Sequence, residues 1–154
     1  MGTSGMTNDA IPARIILAPV DFSEPSRRAL AYAARFATHA GAAALHVVYA
    51  EDPWLAEGAR RASIDLPQKT SEELGAFVDS TIRDAFPVPE HHRHVVRGPA
   101  VDAIVDAADR LNADLIVIAT HGLSGVERVM FGSTTEGVLR KSRIPVLVVP
   151  SAAR

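Results

Sequence analysis

The sequence predicts a doubly wound α/β fold, in which a five-stranded, mainly parallel sheet carries helices on both faces. Two features of the 154-residue chain predict it. Five short apolar runs recur along the chain, and segments whose apolar residues have helical spacing lie between them. Unbroken apolar runs are typical of strands buried on both faces, and strands that alternate with helices pair in parallel through right-handed crossovers.

The five apolar runs give the positions of the predicted strands, which are residues 15–18, 45–49, 95–96, 115–118 and 146–149. After the second strand, residues 51–69 form a long connection that includes Trp54 and two prolines. Connections of this length without regular structure are uncommon in compact domains. We therefore expect a surface excursion here that contributes to specificity.

Signals at both ends mark the first predicted helix. Ser23 is a candidate N-cap, Pro25 lies in the first turn and Gly41 follows the last turn. The apolar side of this helix consists of Leu30, Ala33, Ala34 and Ala37.

A capping box marks the start of the second helix, since Glu73 follows Thr70 by three residues. The third helix opens after Gly98-Pro99. The apolar residues on their core-facing sides are Leu74, Phe77, Val78 and Ile82 in the second helix and Val101, Ile104, Val105, Ala108 and Leu111 in the third.

The fourth helix is predicted to begin at Ser133, where Glu136 completes the spacing of a capping box, and to end before Pro145. Basic residues stand at its end, where cations complement the helix dipole; they are Arg140, Lys141 and Arg143. We therefore interpret them as structural residues rather than as a binding surface.

The composition indicates one folded domain, which we place at residues 12–150. Residues 1–11 are expected to be a flexible N-terminus or an expression remnant, and residues 151–154 a C-terminal tail. Residues are 47% hydrophobic and 22% charged, as in soluble globular domains.

Charge and residue content exclude several classes of function. The formal net charge of −2 provides no basic surface for nucleic acid or an anionic membrane. The chain has no cysteine, which excludes thiol chemistry, and no apolar run approaches the roughly 18 residues of a membrane span. We expect a cytoplasmic protein that binds neither nucleic acid nor membrane.

Ligands of doubly wound sheets bind at the carboxyl ends of strands, so the residues that follow each strand are the candidates for a site. After the first strand come Pro19, Val20 and Asp21. The Asp21 carboxylate is an acceptor suited to a ribose hydroxyl or an adenine amino group. The alternative is that Asp21 caps the helix that follows, since Asp is a common N-cap.

The second candidate segment follows the fourth strand. Its residues of interest are Ala119, His121, Gly122 and Gly125 and, at a predicted helix start, Gly132, Ser133 and Thr134. Glycines allow backbone N–H groups to approach a polyphosphate, and a helix N-terminus adds donors and a favourable dipole. The alternative is that the glycines only make turns and that Ser133 only caps its helix.

Three catalytic and nucleotide-binding motifs do not occur in the sequence. They are the phosphate loop G-x-x-x-x-G-K-[ST], the dinucleotide fingerprint G-x-G-x-x-G and the nucleophile elbow G-x-S-x-G. Their absence argues against a P-loop ATPase, a dinucleotide dehydrogenase and a hydrolase with a nucleophile elbow.

The second segment resembles the nucleotide motif of the universal stress proteins, in which Gly, two residues, Gly, nine residues and Gly precede Ser or Thr. Here Gly122 is followed by nine residues and then by Gly132-Ser133, while Ala119 stands in place of the first glycine. Further segments that resemble the family are residues 19–23, 45–48, 98–99, 113–117 and 143–149. The resemblance extends over roughly residues 12–150.

This resemblance implies a Rossmann-like fold of the adenine nucleotide alpha hydrolase type. It implies that ATP, or AMP or ADP, binds with or without Mg²⁺. The adenine and ribose would lie near Pro19, Val20, Asp21 and Val47, and the phosphates near Gly122, Gly132, Ser133 and Thr134, in a segment that also holds Ala119 and His121. Val47 is alternatively a core residue, as buried strand valines usually are.

The resemblance also implies a homodimer that forms through the last strand, Val146 to Val149, which would otherwise be an exposed apolar edge. The implied role is regulation or stress adaptation, with an unknown protein partner, no catalytic residue and at most slow ATP hydrolysis. The alternative is a nucleotide-free dimeric interaction module of the same fold, because the methyl group of Ala119 would crowd a phosphate. An adenylyl transferase is disfavoured, since no H-x-G-H pair occurs.

His91, His92 and His94, together with Glu90, are a candidate metal site. Alternate residues that enter a strand point to opposite faces, and no second cluster of ligands is evident from the sequence. We therefore interpret these histidines as part of a solvated loop.

Overall fold

The computed structural model describes residues 13–84, 87, 89–120 and 131–150. Strands and helices alternate along this part of the chain as β1 (Ile15–Val20), α1 (Glu24–Ala40), β2 (Ala44–Glu51), α2 (Pro53–Arg61), α3 (Leu66–Ile82), β3 (His91–Arg97), α4 (Ala100–Arg110), β4 (Leu115–Ala119), α5 (Ser133–Lys141) and β5 (Val146–Val149). The predicted terminal segments, 1–11 and 151–154, lie outside the described residues.

The five strands form one sheet in the order β3-β2-β1-β4-β5, and every described pair is parallel. From β1 the chain winds outward through β2 to β3, and then crosses to the other side of β1 to form β4 and β5. This order confirms the predicted doubly wound fold. It also places the point where the winding reverses between β1 and β4.

Helices cover both faces of the sheet, as predicted. The helices α1 and α3 bury Leu30 and Val78 against Ile16 of β1 on one face. On the other face, α4 and α5 bury Ile104 and Val138 against Leu17 of the same strand. Neighbouring strand residues therefore enter opposite cores, which explains why β1 is apolar without interruption. No helix among the described residues is long and apolar enough to cross a bilayer.

The predicted ends of α1 are confirmed. The Ser23 side chain accepts a hydrogen bond of 3.3 Å from the backbone N–H of Ser26, and Pro25 lies in the first turn. Gly41 follows the helix with a left-handed φ of 63°. Glycine adopts this conformation without steric cost, so it ends the helix at low energy.

The predicted capping box at Thr70 is wrong. The helix α3 begins at Leu66, where the Asp65 carboxylate accepts a 3.2 Å hydrogen bond from the backbone N–H of Gln68. Thr70 is buried in the second turn and donates its hydroxyl to Glu51 Oε1 at 3.2 Å. Its polar group therefore serves a tertiary contact rather than a helix end.

The expected excursion at residues 51–69 contains a helix that sequence reasoning missed. The Asp52 side chain caps α2 by accepting a 2.8 Å hydrogen bond from the backbone N–H of Trp54. No residue of α2 is buried, and Trp54 is 84% exposed. The segment thus lies at the surface as expected, but with regular structure.

The predicted start of the fourth helix at Ser133 is confirmed, whereas its capping box and the loop expected at the histidines are wrong. Gly132, not Ser133, occupies the N-cap position of α5, which has no side-chain cap, and Glu136 pairs with Arg140 Nη2 at 2.6 Å instead of completing a capping box. The end of this helix at Lys141 is as predicted. The histidines expected in a solvated loop belong to β3, which begins at His91.

Candidate functional site

A pocket lies between the carboxyl ends of β1 and β4, where the winding of the sheet reverses. Both strand ends, the end of β2 and parts of α1, α4 and α5 contribute to its wall. The wall residues are Pro19, Val20, Asp21, Ser23, Ser26, Tyr49, Ala50, Ala100, Ile104, Ile118, Ala119 and Thr134. Apolar side chains with a few convergent polar groups are typical of a ligand site.

The structure brings together five of the residues predicted from the sequence. Pro19, Val20 and Asp21 come from the end of β1, Ala119 from the end of β4 and Thr134 from the first turn of α5. Two segments that are about a hundred residues apart in the chain therefore meet in one pocket, because the carboxyl ends of parallel neighbours share one edge of the sheet.

The remaining predicted site residues are placed differently. Gly132 and Ser133 precede Thr134 at the start of α5 but do not line the pocket. Val47 is fully buried in the core between the sheet and α1, and is not a wall residue. His121 and Gly122 lie outside the described residues.

Asp21 is held by the turn that follows β1. Its Oδ1 accepts a hydrogen bond of 3.0 Å from the backbone N–H of Ser23 and a second one from the Ser23 hydroxyl. The backbone N–H of Asp21 donates to the Ser26 hydroxyl at 3.3 Å. Because Ser23 is the N-cap of α1, the alternative that Asp21 caps this helix is wrong.

Aromatic packing stabilises this turn. Phe22 has a φ of 64°, a conformation that costs free energy for a bulky side chain. Its ring centroid lies 4.6 Å from that of Tyr49 and 5.5 Å from that of Phe77. Ring contacts at these distances contribute favourable free energy that offsets part of the strain. The position of the Asp21 carboxylate in the pocket therefore depends on the packing of Phe22 against Tyr49 and Phe77.

Tyr49 is a wall residue that sequence reasoning did not assign to the site. It is in register with Val20, so the ends of β2 and β1 lie side by side. Burial raises the pKa of the Tyr49 phenol, and the carboxylates of Glu51 and Glu73 raise it further. The phenol is therefore neutral at physiological pH and can both donate and accept hydrogen bonds.

Thr135 is a second residue that sequence reasoning missed. Its hydroxyl donates a 2.7 Å hydrogen bond to the carbonyl oxygen of Ala119, and the residue is 2% exposed. This bond ties the first turn of α5 to the end of β4. The signal in the sequence is the Ser133-Thr134-Thr135 run at a predicted helix start, of which the sequence prediction includes only the first two hydroxyls.

The described wall residues enclose about 100 Å³, which is less than typical ligand pockets of roughly 300–1,000 Å³. A larger groove of about 870 Å³ runs along β3 and α4, and Arg93, Asp106 and Arg110 line it. That groove lies on the edge strand of the sheet, away from the reversal point. We assign the candidate site to the smaller pocket because of its position in the topology.

The profile of the universal stress protein family matches residues 12–150. The chain belongs to the universal stress protein family. Among its members, universal stress protein MJ0577 from Methanocaldococcus jannaschii is 27% identical over 150 residues, which cover 87% of this chain and 93% of that protein. The solved structure of MJ0577 superimposes with a TM-score of 0.73 at 26% identity, and covers 93% of this chain and 99% of that chain.

Two similar universal stress proteins have been solved with adenine nucleotides. One, in complex with cAMP, matches with a TM-score of 0.68 at 26% identity, over 92% of this chain and 99% of that chain. The other, from Archaeoglobus fulgidus in complex with dAMP, matches with a TM-score of 0.65 at 28% identity, over 90% and 98%. Universal stress proteins with this fold thus include binders of adenine nucleotides.

Proposed function

We propose that the pocket between β1 and β4 binds ATP or a related adenine nucleotide, AMP or ADP, with or without Mg²⁺. The protein would act as a cytoplasmic regulatory or stress-adaptation module. The observation that carries the proposal is the meeting of Asp21 and the first turn of α5 in one pocket at the reversal point of the sheet. The cAMP and dAMP complexes of two structural relatives support it.

Each side of the pocket suits one part of a nucleotide. The Asp21 carboxylate would accept hydrogen bonds from a ribose hydroxyl or the adenine amino group. The N-terminus of α5, with Gly132, Ser133 and Thr134, offers backbone N–H groups, hydroxyls and a positive dipole end to phosphates. The roles predicted for Val47, His121 and Gly122 stay predictions.

We expect at most slow hydrolysis of a bound nucleotide. Phosphoryl transfer requires cationic groups that neutralise charge on the transferring phosphoryl group. The described wall of the pocket includes no Lys, Arg or His. The expectation of slow hydrolysis comes from the family resemblance and stays a prediction.

The proposal is tested by calorimetric titration of nucleotide-free protein with ATP, ADP and AMP, each with and without Mg²⁺. The decisive variant is Gly132→Val. Gly132 has φ −63° and ψ 157°, an extended conformation open to valine, so the change adds bulk at the start of α5, where the phosphates are proposed to bind, without backbone strain. Gly58→Val is the matched control, because a Cβ there meets nothing within 4 Å.

Saturable binding by the wild-type protein and by Gly58→Val, with loss of binding in Gly132→Val, is the expected result. Absence of both heat and thermal shift in the wild-type protein would contradict nucleotide binding.

A nucleotide-free interaction module is the second candidate function. The small enclosed volume of about 100 Å³ favours it, as does Ala119, whose methyl group stands in the pocket wall where the family motif has glycine. This candidate predicts equal melting temperatures with and without saturating ATP. Binding that appears only in Ala119→Gly would identify the methyl group as the obstacle.

We further propose that the protein forms a homodimer through β5. This strand is at one end of the described sheet, and its four residues are all apolar and only half-buried. Its pairing with β4 satisfies one side of its backbone. An exposed apolar edge favours pairing with another strand, and a second copy of β5 related by a two-fold axis would supply it.

A further inference from the structure

Three histidines join β3 to β2 in the amino-terminal halves of these strands, far from the carboxyl ends that form the candidate site. His46 of β2 is in register with His92 of β3. Nδ1 of His46 lies 2.9 Å from Nε2 of His94. The ring centroid of His46 is 5.0 Å from that of His92 and 5.1 Å from that of His94. Three imidazoles thus share one side of the sheet edge.

The hydrogen bond between His46 and His94 depends on protonation. One ring must provide an N–H and the other an unprotonated nitrogen, so the bond forms when at least one ring is neutral. Protonation of both rings removes the acceptor and places two cations at hydrogen-bond distance. This side-chain contact between the two paired strands then becomes a repulsion.

The charged groups around the cluster are of both signs. Those on its face of the sheet are Arg110, Asp106 and Asp109 from α4 and Glu90, which lies 3.1 Å from Nε2 of His92. His91 and Arg93 alternate to the opposite face of β3, where Arg93 pairs with Asp79 of α3. From β1, the residue in register with His46 is the apolar Leu17. Arg110 opposes protonation of His94, whereas Glu90 favours protonation of His46.

Together, burial and the neighbouring charges favour the neutral forms of His46 and His94. Burial lowers the pKa of His46, and His94 and His92 lower it further, against the smaller opposing effect of Glu90. Burial also lowers the pKa of His94, with added contributions from His92 and Arg110. A group whose pKa is lowered by folding binds fewer protons in the folded state. Its contribution to stability is therefore complete above about pH 6.5 and is lost as the pH falls through the lowered pKa.

We propose that His46, His92 and His94 form an acid-sensitive clasp that holds the edge strand β3 to β2 at neutral pH and releases the amino-terminal half of β3 in acid. In the described part of the chain, no three His, Cys, Asp or Glu side chains are placed to hold a metal ion. Because β3 is an edge strand, it can detach without breaking any other strand pair.

The test is amide hydrogen exchange of the full chain at pH 7.5 and pH 5.0, expressed as protection factors corrected for the intrinsic exchange rates. The ratio of β3 protection to β1 protection is expected to fall several-fold in acid, because the open form of β3 binds protons that the closed form excludes from His46 and His94. In the double variant His46→Gln/His94→Gln this ratio should change less than about twofold.

His39→Gln is the matched control, since His39 is exposed on α1 and its Nδ1 contacts the local carbonyl of Arg35. It should behave like the wild-type protein. An equal fall in the double variant, or no fall in the wild-type protein, would overturn the proposal.

A second measurement covers the case in which the double variant does not fold. The imidazole resonances of the wild-type protein are followed by NMR from pH 8 to pH 4.5 and compared with histidine in the urea-unfolded chain. The proposal requires that two imidazoles gain their protons at lower pH in the folded chain. Titration of all cluster imidazoles at the pH of the unfolded reference would refute it.

Discussion

The hydroxyl of Thr135 donates a hydrogen bond of 2.7 Å to the backbone carbonyl of Ala119. Ala119 is the last residue of β4 and lines the candidate pocket, while Thr135 lies in the first turn of α5. One short bond therefore sets the distance between the strand end and the helix that is proposed to receive phosphate. Loss of this bond should affect both the fold and the site.

Thr135→Val is expected to lower the free energy of unfolding by about 1–2 kcal/mol, because a carbonyl oxygen of the pocket loses a hydrogen-bond donor while the side-chain volume is kept. Urea denaturation followed by circular dichroism measures this change. Ser133→Ala is the control, since Ser133 is exposed and α5 has no side-chain cap, and it should stay within about 0.5 kcal/mol. Equal effects of the two variants would contradict the assigned role of Thr135.

A buried carboxylate underlies the second prediction. Glu51 is 2% exposed and accepts from the Thr70 hydroxyl at 3.2 Å and from Arg97 Nε at 3.1 Å. Arg97→Ala should lower the free energy of unfolding by about 1–2 kcal/mol. This loss is smaller than the loss on breaking a fully buried ion pair, because the Arg97 side chain is 62% exposed. Chemical denaturation measures the loss.

Two control variants test this explanation. Adding Glu51→Gln to Arg97→Ala should recover part of the lost stability, because the remaining buried group is then neutral. Arg60→Ala, which breaks an exposed pair with Glu57, should change stability by less than about 0.5 kcal/mol. A double variant less stable than Arg97→Ala would show that the buried charge is not the cause.

The close approach of α5 to α4 depends on Gly137. A Cβ at this position would lie 2.5 Å from Cγ2 of Val101. Gly137→Ala is therefore expected to destabilise the protein by about 1–3 kcal/mol through overpacking, although alanine favours helices. Thermal or urea unfolding provides the measurement.

Gly58→Ala is the matched helical control for this prediction. A Cβ there meets nothing within 4 Å, so the variant should gain about 0.5–1 kcal/mol from helix propensity alone. Combining Gly137→Ala with Val101→Ala should restore much of the loss. Stabilisation by Gly137→Ala alone would show that the two helices are free to move apart.

If the protein dimerises through β5, the backbone N–H of Val148 should donate a hydrogen bond across the interface. The carbonyls of Pro145 and Val149 accept hydrogen bonds from Ile116 and Thr120, so the backbone groups of Val148 point to the open side of β5. Val148→Pro removes an outward donor and should yield a monomer of nearly unchanged fold. Val148→Thr keeps the N–H and should remain dimeric.

Light scattering coupled to size-exclusion chromatography measures both variants against the wild-type protein. A wild-type monomer at about 100 μM would contradict the dimer itself, since obligate pairs persist at such concentrations. A dimeric Val148→Pro would instead place the interface elsewhere.

The elements that could be predicted from the sequence are those whose signals are local. The apolar run of β4 reports burial on both faces, and the Ser23 and Gly41 signals each act within one turn of α1. The start of β3 could not be predicted because His91 to His94 lie on a polar edge strand, where one side is solvated and no apolar run appears. A search for apolar runs therefore misses a polar edge strand such as β3, although it detects the apolar edge strand β5.

Long-range contacts explain the other differences between the predicted and the observed roles of residues. Thr70 resembles a cap in sequence, but its partner Glu51 is nineteen residues away and is brought near only by the fold. The meeting of Asp21 and Thr134 was predictable from the shared edge of parallel strands. The contributions of Tyr49 and Thr135 could not be predicted. Tyr49 reaches the pocket through the register of β2 with β1, and Thr135 acts through a hydrogen bond between α5 and β4.

The two ends of the described sheet differ in chemistry. β5 presents four apolar residues, whereas β3 carries Arg93, Arg97 and the exposed His92. If β5 of one molecule paired with β3 of the next, every addition would leave a new β5 exposed, and growth would continue as a filament. Charged side chains on an edge strand disfavour such head-to-tail addition. The polar sequence of β3 would thus prevent filament growth and limit the proposed assembly to a closed dimer.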